Sequence, residues 1–136
     1  MGISLDTARK LKDAGLKWEP ETCDTYYWPR KFNNPVQVMH RDFDLLQKEQ
    51  DTKGIVWAPR LDQLLAEIER REYYAVLRTC SFNQELSKEQ CRVSVWKEGD
   101  PIHKKPHGWY ADTPDEAAAQ ALLWILEREK EDGEAN

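Results

Sequence analysis

The sequence predicts an α+β fold, in which small antiparallel sheets carry helices packed on one face. Apolar residues recur at helical spacing within residues 61–68 and 118–126, so two amphipathic helices are expected. Between them, residues 91–96 alternate apolar and polar side chains, as in a strand with one buried face. A sheet of this kind needs its apolar face covered, and two helices with single apolar stripes can cover it.

The first predicted element is a short helix over residues 4–14. Its apolar face consists of Leu5, Ala8 and Leu11. Gly15 fits the left-handed position that follows a helix. Leu16 can then fold back onto Leu11, as a Schellman ending requires.

Residues 21–58 are rich in strand-forming and turn residues, and they predict a small antiparallel meander. Strands are expected at residues 26–28, 36–38 and 55–57, with turns between them that contain Asn, Pro and Gly. Residues 43–50 fit either a strand or a helix. With the first helix, the meander makes up the predicted N-terminal region, residues 1–58.

Residues 59–136 predict a lobe with the order helix-strand-strand-strand-helix, either separate from the N-terminal region or continuous with it in one domain. Pro59 is expected at the first helical position, where its missing N–H has no intrahelical partner. Glu67 and Arg71 form an i,i+4 pair in the favourable order. The apolar stripe of this helix consists of Leu61, Leu64, Leu65 and Ile68. Strands follow at residues 73–82, 91–96 and 108–111.

The final helix has the clearest helix-start signal in the chain. Thr113 at the N-cap and Glu116 three residues later form a capping box, with Pro114 at the first helical position. The helix is expected to end in the charged residues 127–132, before Gly133. Its apolar residues are Ala118, Ala121, Leu122 and Ile125, widened by Leu123, Trp124 and Leu126.

Length and composition limit the class of protein. The chain has 136 residues, of which 40% are hydrophobic, enough for one compact domain or two small lobes. It contains no apolar run near the roughly 18 residues that cross a membrane, and no apolar start typical of a signal peptide. We therefore expect a soluble, cytoplasmic protein with no membrane partner. Its three cysteines are widely spread and are interpreted as reduced thiols.

Metal binding and catalysis are not predicted. His103 and His107 have the spacing of zinc ligands, but Cys80 and Cys91 lie farther apart than paired cysteines in structural zinc sites. Alternation places Cys91 on the buried face of its strand, as an inert thiol. No glycine-rich phosphate loop is present, so we expect no enzyme activity, no metal and no cofactor. The residues of this segment are interpreted as a basic loop: His103, Lys104, Lys105 and His107.

Aromatic residues are concentrated in the N-terminal half. The favoured interpretation is that short strands need bulky residues to build a core. The alternative is a surface cluster that binds a protein partner, because Tyr and Trp are enriched at such interfaces. The residues concerned are Trp18, Tyr26, Tyr27, Trp28 and Trp57.

Nucleic acid is not the expected partner. The net charge is −5, and residues 61–136 hold ten basic and sixteen acidic side chains. The order helix-strand-strand-strand-helix is also that of double-stranded-RNA-binding domains, which place basic residues at the start of the last helix. Here Asp115 and Glu116 occupy that position and would repel phosphate.

Residues 109–117 suggest a family. A strand, an Asp-Thr-x-x-Glu-Ala box at residues 112–117 and an Ala/Leu helix resemble the end of the HicB-like antitoxin fold and phage domains of the ABA-sandwich type. Residues 11–20 and 57–65 are similar to uncharacterised phage and prophage proteins of Gram-positive bacteria. HicB-like antitoxins usually carry a DNA-binding segment after the helix; the sequence leaves no length for one, so a repressor role is not expected. No catalytic residues are implied.

These features predict a non-enzymatic, phage-type accessory or antitoxin-like protein that binds another protein. The alternative function is a small RNA-binding module with the element order of a double-stranded-RNA-binding domain. Neither the identity of the partner nor the oligomeric state can be read from the sequence.

Overall fold

A computed structural model describes residues 2–39, 46, 48, 54–97, 99 and 107–134. Contacts between Cα atoms divide the chain into a first unit, Gly2–Arg60, and a second unit, Leu61–Asn136. Both units combine helices with an antiparallel sheet, so the predicted α+β class is confirmed.

The first unit opens with helix α1, Leu5–Asp13, which begins at an N-cap on Ser4 and ends as predicted. At its start, the backbone N–H of Thr7 donates to Ser4 Oγ over 3.2 Å. At its end, the backbone N–H of Leu16 donates to the carbonyl of Leu11 over 3.0 Å. Gly15 has a φ of +104°, a left-handed conformation. Glycine has no Cβ atom and therefore adopts this conformation with little steric strain.

Three short strands form the sheet of the first unit: β1 (Thr25–Tyr27), β2 (Val36–Gln37) and β3 (Val56–Ala58). Their order is β2-β1-β3, with antiparallel pairing throughout. The predicted meander was wrong in this respect, because β1 and not β2 is the central strand. The connection from β2 to β3 is much longer than a hairpin turn, so β3 can return to the free edge of β1.

The core of the first unit lies against this sheet. It consists of Trp18, Tyr26, Val38, Leu46 and Ile55, with Trp28, Val36 and Trp57 packed at its margin. Of residues 43–50, for which strand and helix were both considered, only Leu46 and Lys48 lie within the described part of the chain, and both are helical.

The second unit has the predicted order of elements. They are α2 (Leu61–Arg70), β4 (Tyr73–Asn83), β5 (Lys88–Lys97), β6 (His107–Ala111) and α3 (Pro114–Glu134). The strands form an antiparallel sheet in the order β4-β5-β6. Both helices contact the sheet and each other, so they cover the same face. Val93 and Val95 point to that face and are fully buried.

Two predicted helix boundaries were wrong. Helix α2 begins at Leu61, so Pro59 precedes the helix and does not open it. The Arg60 side chain donates to Asp24 Oδ1 and to the carbonyl of Cys23, each over 3.1 Å, which holds residue 60 in the first unit. Helix α3 continues through Gly133 to Glu134, since a glycine in the last turn costs less than one in a helix interior.

The predicted pair of Glu67 and Arg71 is confirmed. Both side chains are mostly buried, with exposed fractions of 17% and 14%. Arg71 Nε also lies 3.1 Å from Glu129 Oε1 on α3. The pair therefore connects the end of α2 to the final helix.

Replacing Thr113 with Ala should lower the free energy of unfolding by about 1 kcal/mol, because it removes the N-cap of α3. The backbone N–H of Glu116 donates to Thr113 Oγ1 over 3.3 Å, as the capping box predicts. Chemical denaturation measures the change. The substitution Thr113→Ser keeps the hydroxyl and serves as the control; equal losses in the two variants would show that the cap contributes nothing.

Candidate functional site

The helices leave the other face of the β4-β5-β6 sheet uncovered. Alternation along the strands assigns each residue to a face, and ring contacts agree with the assignment. Trp109 on β6 lies 5.4 Å from Trp124 of α3, on the helix side, whereas Tyr74 and Trp96 contact each other on the opposite side. We call the part of that opposite side between the Tyr74–Trp96 pair and the β-bulge the open face; its residues are Tyr74, Val76, Arg78, Arg92, Ser94, Trp96, Gly108 and Tyr110.

The pairing register arranges the open face in three rows across the strands. The arginine row consists of Arg78, Arg92 and Tyr110, the middle row of Val76, Ser94 and Gly108, and the aromatic row of Tyr74 and Trp96. Successive rows are two residues apart along each strand, or about 7 Å. The small residues therefore lie between a cationic row and an aromatic row.

The arginine row places two positive charges directly opposite each other. Arg78 on β4 pairs in register with Arg92 on β5, immediately before the β-bulge that shifts the register between Arg78 and Ser81. Like charges in this relation destabilise a sheet. Among the described residues, no carboxylate pairs with either arginine, and Arg92 Nε is buried without a hydrogen-bond partner. Folding alone does not explain this pair.

The Arg92 side chain lies along the sheet. Its guanidinium carbon is 5.4 Å from the centre of the Tyr110 ring. A Cβ added at Gly108 would lie only 2.7 Å from both Arg92 Nε and Nη2. The absence of a side chain at Gly108 therefore leaves the space that the guanidinium occupies.

The aromatic row is accessible to solvent. The Tyr74 and Trp96 rings lie 5.5 Å apart at an angle of 30°. Tyr74 is 48% exposed, and Val76 in the adjacent row is 41% exposed. Large side chains with this exposure on a sheet are typical of a surface that meets a partner.

An acidic side chain lies beyond the end of β6, next to the open face. Asp112 Oδ1 accepts hydrogen bonds from Gln90 Nε2 over 2.8 Å and from Lys88 Nζ over 3.0 Å. The hydrogen bond from Gln90, followed by the contact with Lys88, holds the pKa of Asp112 below its usual value. This carboxylate is therefore ionised near neutral pH, and its charge is balanced by Lys88.

The aromatic residues singled out in the sequence do not form one exposed cluster. Trp18 and Tyr26 are core residues, 7% and 4% exposed, as the favoured interpretation predicted. Trp57 is half-buried and stacks on Trp18, with ring centres 6.2 Å apart. Tyr27 is also half-buried, and its hydroxyl donates to the carbonyl of Ile3 over 2.7 Å. The half-buried Trp28 meets the edge of Phe32. A partner surface at Tyr27, Trp28 and Trp57 stays a prediction.

The predicted basic loop is described only at His107, since His103, Lys104 and Lys105 lie outside the described residues. His107 is exposed at the start of β6, and its ring lies 4.3 Å from that of Trp124. Within the described residues, no three His, Cys, Asp or Glu side chains are grouped to hold a metal ion. Cys91 is a buried thiol, as alternation predicted.

A buried carboxylate in the first unit could not be recognised from the sequence. Asp24 is 1% exposed. Its Oδ2 accepts from Trp18 Nε1 over 2.9 Å and from the backbone N–H of Glu21 over 3.0 Å, while Oδ1 accepts from Arg60. Charged groups at this depth are retained in proteins when they are paired and hydrogen-bonded. Trp18, Glu21 and Arg60 all belong to the first unit, so we assign Asp24 a structural role.

A pocket of about 490 Å³ lies between α1 and β3, lined among others by Lys12, Trp18 and Trp57. Its volume would accept a small molecule. However, Lys12 Nζ, one of the two lysine cations that line the pocket, donates to the carbonyl of Ile55 over 2.8 Å and is engaged in the fold. The open face, with arginines that lack such contacts, is the stronger candidate site.

Comparison of the chain with protein-family models, with curated proteins and with solved structures finds no match. The resemblance to HicB-like antitoxins and phage proteins therefore stays a prediction. No helix in the described part of the chain combines the length and apolar character that a membrane span requires.

Proposed function

We propose that this protein is a non-catalytic binding protein that recognises its partner with the open face of the second unit. The observation that supports the proposal is the composition of that face. It presents Tyr, Trp and Arg, the three residue types that most often dominate the energy of binding interfaces, and neither helix covers them. A sheet supported by two helices also gives these side chains a rigid base, which limits the entropy lost on binding.

The sequence favours a protein partner, in keeping with a cytoplasmic accessory or antitoxin-like protein of phage type. The opposed pair of Arg78 and Arg92 favours the second candidate function, binding of a nucleic acid, because two uncompensated positive charges complement a polyanion. Both candidates use the same surface, so the surface can be tested before its partner is known.

The test compares material that co-purifies with three tagged proteins expressed in the same cells. The variant Tyr74→Ala/Arg78→Ala removes two exposed side chains from the open face. The matched control Phe82→Ala/Arg70→Ala removes one exposed aromatic and one exposed arginine that lie outside the open face. Recovered protein is identified by mass spectrometry, and recovered nucleic acid is measured by its absorbance and sequenced.

We expect the parent and the control to retain a common set of molecules that the open-face variant loses. Thermal melts of all three proteins test whether each is folded. We expect all three to be folded, because the four substituted positions are exposed to solvent. Retention of the same molecules by the folded open-face variant would contradict the proposal.

A further inference from the structure

We infer that the ligand of the open face is a single-stranded nucleic acid, with phosphates at the arginine row and bases against the aromatic row. The inference rests on the proposed function, since it assumes that the open face is the recognition surface. It adds the chemical class of the ligand and the part that each row plays in holding it.

The charge of the open face is the first argument. Residues 61–136 carry sixteen acidic and ten basic side chains, yet the eight residues of the open face include two arginines and no carboxylate. The adjacent carboxylate of Asp112 is paired with Lys88 over 3.0 Å. Arg78 and Arg92 face each other across β4 and β5. A phosphate between them would accept charge-assisted hydrogen bonds from both guanidinium groups and would remove their mutual repulsion.

The fixed position of the Arg92 guanidinium is the second argument. Arg92 Nε is buried over Gly108, so an anion would be bound through the terminal nitrogens of the guanidinium. The contact with Tyr110 and the space at Gly108 hold the guanidinium in place before any ligand arrives. Little side-chain freedom is then lost when an anion binds.

The aromatic row distinguishes a nucleic acid from an acidic peptide. An acidic peptide would meet the arginines, but it carries an aromatic ring for Tyr74 and Trp96 only where its sequence includes one, whereas every nucleotide carries a base. Bases stack on exposed aromatic side chains irrespective of sequence, and this stacking adds to phosphate contacts in proteins that bind single strands. A nucleic acid therefore accounts for both rows together.

The aromatic row favours single strands over duplexes. Bases in a duplex are already stacked on each other, so they cannot also stack on side chains of a sheet. The middle row of Val76, Ser94 and Gly108 leaves room for a strand to pass from the aromatic row to the arginine row. The two outer rows are about 14 Å apart, twice the row spacing given by strand geometry.

Fluorescence anisotropy with labelled ten-nucleotide RNA and DNA of mixed sequence tests the inference. We expect the full-length protein to bind both probes at low salt and to bind a duplex of the same sequence more weakly. The variant Tyr74→Leu should bind roughly tenfold more weakly, because it removes one stacking platform. The control Phe82→Leu, at an exposed aromatic outside the open face, should bind as the parent does.

The salt dependence isolates the arginine row. For single strands, each phosphate neutralised contributes about −0.7 to the slope of log K against log salt. The variant Arg78→Gln/Arg92→Gln should therefore reduce the magnitude of the slope by about 1.4, whereas Arg70→Gln should leave it unchanged. Gly108→Ala keeps the net charge but displaces the Arg92 side chain, so severalfold weaker binding would support the specific position of that guanidinium.

Three outcomes would overturn the inference: no binding at low salt, equal binding by the open-face and control variants, or a preference for the duplex. Binding of polyglutamate through the same arginines with no effect of Tyr74→Leu would assign the face to an acidic protein instead. The proposed function is judged separately by the co-purification test. Captured protein that depends on Tyr74 and Arg78, with no oligonucleotide binding, would retain the proposed function and reject only this inference.

Discussion

Replacing Leu122 with Ala is expected to lower the free energy of unfolding by about 2–5 kcal/mol. Leu122 lies on α3 and is fully buried, as is Ile125 one turn later. The loss combines the transfer energy of the deleted atoms with the cost of the cavity that remains. Since a domain of this size has only about 5–15 kcal/mol of stability, the melting temperature should fall by several degrees at least.

Gln120→Ala provides the matched control, because Gln120 is exposed on the same helix and Ala is a strong helix former. Its melting temperature should remain close to that of the parent. Light scattering tests whether the helix instead forms an interface between copies of the protein. If Leu122→Ala melted like the parent and changed the oligomeric mass, Leu122 would belong to an interface between copies and not to the core.

Replacing Asp24 with Ala should destabilise the first unit by about 2–4 kcal/mol, because it leaves two hydrogen-bond donors without their acceptor. The substitution leaves the Trp18 indole N–H and the Glu21 backbone N–H without their acceptor. It also deprives Arg60 of its carboxylate, although Arg60 is 41% exposed and can turn to water. Most of the loss should therefore come from the two orphaned donors.

Urea denaturation followed by tryptophan fluorescence measures this loss, because Trp18 is in direct contact with the substituted position. Glu19→Ala is the control, since Glu19 is an exposed acid in the same segment. Asp24→Asn keeps one acceptor oxygen and should have an intermediate effect. Equal midpoints for Asp24→Ala and Glu19→Ala would mean that the carboxylate does not stabilise the fold.

The elements that were predicted correctly depend on signals within a few residues. The Schellman ending at Gly15 and the capping box at Thr113 are local hydrogen-bond patterns, so the sequence alone indicates them. The start of α2 was misplaced because Arg60 is held by Asp24, a residue far away in the chain. The strand order in the first unit was likewise decided by non-local pairing.

The candidate site was only half predictable. Alternation in residues 91–96 correctly separates Arg92, Ser94 and Trp96 from the buried Cys91, Val93 and Val95. It cannot reveal that both helices cover the same face, or that Arg78 comes to lie opposite Arg92, because both depend on tertiary packing and on the register between strands. In the sequence Asp24 looks like an ordinary turn residue, because its burial also depends on tertiary packing.

The opposed arginines also bear on how this protein can evolve. Two like charges in register weaken the sheet by several tenths of a kcal/mol while no ligand is present. Under selection for stability alone, either position would drift towards Thr or Val, which favour strands and carry no charge. Persistence of both arginines would thus reflect a trade-off, in which affinity for the ligand is retained and the stability of the ligand-free protein is lower. Substituting the exposed Arg78 with Thr should then yield a protein with a higher melting temperature and weaker ligand binding.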